Sequence, residues 1–179
     1  DRLKTPGVEA SSGSLGQGIG VACGMALAAK IQDAAWRSYA LVGDGECNEG
    51  SVWEAAQIAS NLHLDHLTVL LDRNGKSSYG PMAGRNDVAP LVDKWLAFGW
   101  EIRECDGHDF VALSQALAWA ESVEGHPAAI LCHTIKGKGL PYTETVNTKA
   151  HILISDRDYA ECVTYLDGIE KEIRDEHAH

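Results

Sequence analysis

No apolar run in this chain approaches the roughly 20 residues that span a membrane. Its opening residues, Asp1-Arg2-Leu3-Lys4, hold neither an initiator Met nor the apolar core of a signal peptide. No membrane partner is expected, and the missing Met reads as a chain that is trimmed or begins partway into a longer protein. Cysteine is scattered: the five (23, 47, 105, 132 and 162) are odd in number and contain no CxxC pair. That argues against a disulfide framework or a zinc site, and for reduced thiols in a cytoplasmic protein. Positive charge is in deficit, with 15 Lys and Arg against 26 Asp and Glu and a formal charge of −11. An acidic surface repels phosphate backbones, so nucleic acid is not an expected partner. A phosphorylated ligand can still be held, through backbone amides and a metal.

What is present suffices for one substantial core: 179 residues at 45% apolar content, read as a single domain over 1–179. Helical and strand-like segments alternate. Leu15–Lys30 is a small-residue helix, and Glu49–Leu62 a second one with Val52, Ala55, Ala56 and Ala59 along one face. Strands are expected at Ser38–Val42, Leu67–Leu71, Trp100–Glu104 and Ala128–Cys132. A short helix is placed at Val88–Phe98, and Lys76–Asn86 reads as a loop. Asp109 can cap a helix whose Phe110, Leu113, Leu117 and Ala120 recur at helical spacing. Ser155 and Asp158 have capping-box spacing before a polar helix. The five Trp fit helix and strand packing. Strands separated by helices imply parallel β-α-β units, hence a three-layer α/β/α sandwich with a mainly parallel sheet. Ligands of such sheets sit beyond the carboxyl ends of the strands, which directs attention to the turns after Val42, Leu71 and Cys132.

The first turn reads GDGECNEGSVWEA, Gly43 to Ala55. Glycines flank Asp44 and permit unusual backbone angles and close approach of a ligand. A carboxylate at a strand end suits a hard cation. Thirty residues on, Asn74 occupies the equivalent turn, where its amide oxygen and a carbonyl just beyond can complete an oxygen set for Mg²⁺. Taken singly, Asp-Gly and Asn-Gly are ordinary turn dipeptides. Their joint placement at successive strand ends is the informative feature.

Gly-Asp-Gly followed by a distant Asn is the thiamine-diphosphate pattern, and GDGECNEGSVWEAAQIASNLHLDHLTVLLDRN resembles the transketolase family. So do TPGVEASSGSLGQGIGVACGMALAAK upstream and HTIKGKG downstream, which together span most of residues 4 to 140. The resemblance implies a diphosphate-binding domain of the kind found in the N-terminal subunit of a split transketolase. It implies that thiamine diphosphate and Mg²⁺ (or Ca²⁺) are the cofactors. Asp44 and Asn74 would give side chains to the metal and Lys76 its carbonyl. Gly43 and Gly45 would border the diphosphate, Asp72 and Ile135 the thiazolium end, and Gly13 and Leu15 the aminopyrimidine. Glu49 resembles the family's interface glutamate. His151 follows KGKG at the distance of a catalytic histidine, but Lys149-Ala150-His151-Ile152-Leu153 lacks the family's usual wording, so an ordinary surface histidine stays open.

The implied reaction moves a two-carbon ketol unit from a ketose to an aldose, with sugar phosphates as substrates. The family's activating glutamate belongs to a pyrimidine-binding domain with no counterpart in this chain. A C-terminal transketolase subunit is therefore the expected partner, in a heterotetramer of two copies each, and the chain alone is expected to be inactive. The family's Gly-His-Pro would fall just before Asp1, so an N-terminal portion is expected to be missing. Alternatives are a deoxyxylulose-phosphate synthase or 2-oxoacid dehydrogenase subunit, against which NEG-x-x-W-E speaks, and a noncatalytic scaffold.

Overall fold

The computed structural model describes residues 2–145 and 154–176. They form two compact units. One runs to Gly75 and resumes over Met82–Thr134; the other joins Lys76–Pro81 to the described residues from Ile135 onward.

The first unit is built on four parallel strands: β1 (Ser38–Gly43), β2 (Leu67–Arg73), β5 (Glu101–Asp106) and β6 (Ala128–His133), in the order β1-β2-β6-β5. The expected α/β class with a parallel sheet is what forms. Central strands read as continuous apolar runs because both faces are covered, and β2 and β6 follow that rule: Leu67, Val69, Leu71 and Ala128 through Cys132 are all buried. β1 lies at an edge and alternates instead, with Ala40 and Val42 inward and Tyr39 and Leu41 outward. Register aligns Gly43 with Asp72 and Asp72 with Cys132, so three strand ends finish level.

On one face pack α1 (Gln17–Gln32), α2 (Gly50–Asn61) and α3 (Leu91–Ala97). Helix α1 carries little bulk; Ile19, Ala22, Cys23, Ala26 and Ala29 are buried and permit close approach to the sheet. Trp95 and Trp100 fill the far end of this core edge-to-face, 4.7 Å between centroids. The indole of Trp100 donates to the Ala56 carbonyl at 2.9 Å, so its one polar atom is satisfied. The other face carries α4 (Phe110–Glu121), capped as expected by Asp109, whose carboxylate accepts from the amides of Val111 and Ala112.

The second unit contains the short antiparallel pair β3 (Lys76–Ser77) and β4 (Gly80–Pro81), with α5 (Pro141–Thr145) and α6 (Asp156–Glu176). The expected capping box closes at the start of α6: Ser155 Oγ accepts from the Asp158 amide while Asp158 accepts from the Ser155 amide, each at 3.2 Å.

Several expectations need correction. The loop expected over Lys76–Asn86 includes the β3–β4 ladder, too short to leave a periodic trace. Phe110 does not face inward but is 87% exposed, because the buried stripe of α4 starts a turn later and runs through Ala116 and Ala120. Trp36 is half-exposed in the α1–β1 turn rather than packed in an element. α3 starts at Leu91, not Val88, because Pro90 precedes it and biases Ala89 away from helical angles.

Candidate functional site

The ends of β1 and β2 converge where the sequence placed the chemistry. The Asp44 amide donates to the Asp72 carbonyl at 3.1 Å, extending the β1–β2 pairing by one bond and turning the Asp44 side chain inward. That residue has no exposed surface. Its Oδ1 accepts from the Gly45 amide (2.8 Å); its Oδ2 accepts from the Gly75 amide (2.7 Å) and from the Arg73 guanidinium (3.0 Å). Gly75, in the left-handed region at φ 71°, makes the turn that aims its N–H at Asp44. The flanking pair behaves otherwise: neither Gly43 nor Gly45 has positive φ, so the unusual angles expected there occur at Gly75.

Next to Asp44, the Asn74 amide nitrogen donates to Asp72 Oδ2 at 2.9 Å, while Asp72 Oδ1 accepts from the hydroxyl of Thr134 just past β6. The nitrogen being committed to Asp72, the oxygen is the atom that Asn74 turns elsewhere. Cys47 lies beneath the turn. Burial pushes its thiol up to about 12, helped by the negative charges of Asp44 and Glu46, so it is no nucleophile near neutral pH.

A second convergence joins the starts of α1 and α2. The Glu46 carboxylate accepts from the Gly16 amide (2.8 Å) and the Gly43 amide (3.1 Å), tying the GDG turn to the SLG segment thirty residues earlier. Gly16 has φ 77°, and a Cβ there would stand 2.9 Å from the Glu49 Cβ, closer than side chains pack. Glu49 and Gly16 are therefore neighbours, with Leu15, just before Gly16, half-exposed.

Of the residues singled out in the sequence, Asp44, Asp72, Asn74, Gly43 and Gly45 meet at the carboxyl ends of β1 and β2, and Glu49 lies beside Gly16, which follows Leu15 and stands three residues after Gly13. Lys76 and Ile135 fall in the second unit. His151 lies outside the described residues. His133, at the end of β6, pairs with Glu104 at 2.8 Å on the surface. Arg73, Glu46 and Thr134 escaped sequence reasoning. A cation beside two site residues in Asp72-Arg73-Asn74 was the available signal for Arg73; nothing local marked the other two.

Among the described residues, no three His, Cys, Asp or Glu side chains are grouped to hold an ion. The expected donor set is of another kind: one carboxylate, one amide oxygen and one main-chain carbonyl. Its two members at the strand ends, the Asp44 carboxylate and the Asn74 amide oxygen, have the chemistry that suits a hard divalent cation, and the buried Asp44 already draws a positive group to it.

The family model for the transketolase thiamine diphosphate binding domain matches residues 1–161. The chain belongs to the transketolase family. Relatives include the 6-deoxy-6-sulfo-D-fructose transketolase subunit SqwG of Clostridium sp. (strain MSTE9), 42% identical over 80% of this chain and 52% of that protein. Another is an apulose-4-phosphate transketolase subunit of Phocaeicola vulgatus, 34% identical over 90% of this chain and 57% of that protein. The chain thus spans little more than half of these relatives. Among solved structures, the transketolase of Campylobacter jejuni superposes with a TM-score of 0.74 at 29% identity, over 82% of this chain and 24% of that one. The strand-end turns just described therefore lie within the family's cofactor-binding domain.

Proposed function

We propose that this chain is the diphosphate-binding part of a transketolase that moves a two-carbon ketol unit from a ketose to an aldose. The observation that carries the reading is the meeting of buried Asp44 with Asn74 at the level ends of β1 and β2, inside a domain of this family. Thiamine diphosphate, when bound, supplies the electron sink for carbon–carbon cleavage and formation. The chain's own part is to hold and orient. Asp44 and Asn74 would give oxygens to Mg²⁺ (or Ca²⁺), to which the family's pattern adds the main-chain carbonyl of Lys76. Gly43 and Gly45 leave the diphosphate room beside the backbone, in a protein whose net charge of −11 makes a metal the natural screen for phosphate. Asp72, braced by Thr134 and Asn74, would border the thiazolium end, where the family's pattern also has Ile135, and Gly13 and Leu15 would border the aminopyrimidine. Glu49 links paired sites, and His151 handles substrate protons.

The related proteins are named as transketolase subunits. By the same logic, this chain works with a C-terminal subunit carrying the pyrimidine domain, as a heterotetramer of two copies each in the cytoplasm, and turns over nothing alone. The two relatives' names, a sulfo-sugar and a sugar phosphate, favour anionic sugars as substrates. No helix among the described residues is long and apolar enough to cross a membrane.

The test is a calorimetric titration of thiamine diphosphate with Mg²⁺ into the chain assembled with the protein encoded beside it, with Asp44→Ala as control. Metal-dependent binding that the substitution abolishes supports the site, and a ketose–aldose screen then reads turnover. An assembled complex that binds no cofactor overturns the proposal.

A further inference from the structure

Arg73 sits at the site without a role in the function just proposed. Its side chain is 24% exposed and spans two carboxylates: one terminal nitrogen reaches Asp44 at 3.0 Å, the other reaches Asp87 at 3.4 Å. The two acceptors differ. The Asp44 side chain is 1% exposed and held by two backbone amides, while that of Asp87 is 35% exposed, its Oδ1 also accepting from the Ala89 amide at 3.1 Å. A buried carboxylate without a counter-charge is costly, and neutral amides compensate only part of that charge. Arg73 supplies the remainder. Its guanidinium has donors enough to hold both partners together.

We propose that Arg73 is the resident counter-cation of Asp44 and competes with the divalent ion for that carboxylate. The inference rests on Asp44 being a metal ligand, as in the proposed function. An ion on Asp44 would bring two positive charges to a carboxylate that a guanidinium already contacts, and like charges so close repel strongly in a partly buried setting. Asp87 gives Arg73 a place to stay when it releases Asp44. Arg73 therefore acts in opposite directions on two quantities. It stabilises the ion-free fold, and it weakens ion binding. Asp87 sets the balance, because an Arg73 without its outer anchor holds Asp44 harder.

The experiment uses the same assembled complex, titrating Mg²⁺ at saturating thiamine diphosphate by calorimetry, and Mn²⁺ by the spin-resonance signal of the free ion. Neither readout needs turnover. Arg73→Gln should bind both ions more tightly, on the order of 10-fold, while melting at lower temperature without ion. Arg73→Lys, which keeps the charge, should lie between the wild type and Arg73→Gln. Asp87→Asn should bind the ions more weakly than wild type. An Arg73→Gln complex that binds them no better than wild type overturns the inference while leaving the cofactor site standing, as does Asp87→Asn binding more tightly. Should Arg73→Gln fail to fold, Arg73→Lys and Asp87→Asn still decide. A wild-type complex with no metal-dependent binding removes the proposed function and this inference together, and the wild-type curve alone identifies that case.

Discussion

The two faces of the sheet are made of different material. Against α1, α2 and α3 lie Trp95, Trp100, Leu67, Leu71, Val69 and Val52, a deep core with large side chains and an interlocked indole pair. Against α4 the buried residues are Ala116, Ala120, Ala128, Ile130 and Cys132, mostly small, with Leu113 and Leu117 only partly covered. At the β1 edge, Leu41 is 76% exposed. The residues that pin the GDG turn connect to the deep side: Cys47 is part of that core, and the Trp53 indole donates to the Cys47 carbonyl at 2.8 Å. A site that must hold its geometry against a charged ligand is anchored where truncation costs most.

Substitutions on the two faces can break that contrast. Trp95→Ala removes one of the two largest fully buried side chains on the deep side and should cost about 3–5 kcal/mol of unfolding free energy in urea titration. Ile130→Val, on the thin side, should cost only about 1 kcal/mol, as should removal of the α4 cap in Asp109→Ala. Equal losses for Trp95→Ala and Ile130→Val would show that the faces share one core. Leu41→Ser should stay within about 0.5 kcal/mol of wild type.

Alkaline pH probes both faces at once. Burial raises the Cys47 and Cys132 thiols from 9.0 to about 12, one on each side, and the neighbouring Cys105 adds to the rise at Cys132. These groups keep their protons in the folded state and lose them first in the unfolded state. Stability is therefore fully present below pH 9 and declines as pH rises from there towards 12. Melting temperatures across that range should fall, and Cys47→Ala and Cys132→Ala should each flatten the slope, though each substitution also lowers the plateau. The smallest expected effect concerns α6. Hydrogen bonds from Ser155 hold the Asp158 carboxyl below its ordinary 3.8, so its help to that helix is present above pH 3.8 and lost on acidification below it. Ser155→Ala should remove that acid-dependent loss of helicity, read by circular dichroism.

Much of this was legible in the sequence. β2 and β6 announce themselves as unbroken apolar runs ending in turn residues, because a central parallel strand is buried on both faces. Asp109 and Ser155 mark helix starts by chemistry that operates within three residues. Asp44 and Asn74 stood out because Gly-Asp-Gly and Asn-Gly place polar groups at strand ends. What stayed hidden depends on distance. Arg73 meets Asp44 across 29 positions and Thr134 meets Asp72 across 62, and neither pairing leaves a local pattern. β3 and β4, at two residues each, are too short for periodicity to register. Phe110 misled for the opposite reason: its spacing fits the helix, but the first turn of α4 is exposed and the inward stripe begins only after it.

The strand order β1-β2-β6-β5 has a temporal consequence. β6 is the last of the four to leave the ribosome, yet it takes an inner position between two strands made earlier. Until Ala128–His133 has emerged, β5 has no neighbour and β2 shows a bare, apolar edge. Non-local parallel pairing of this kind is slow, and the waiting edge is a template for wrong partners. The nascent chain thus carries that unpaired edge throughout the synthesis of the residues between Arg73 and Ala128.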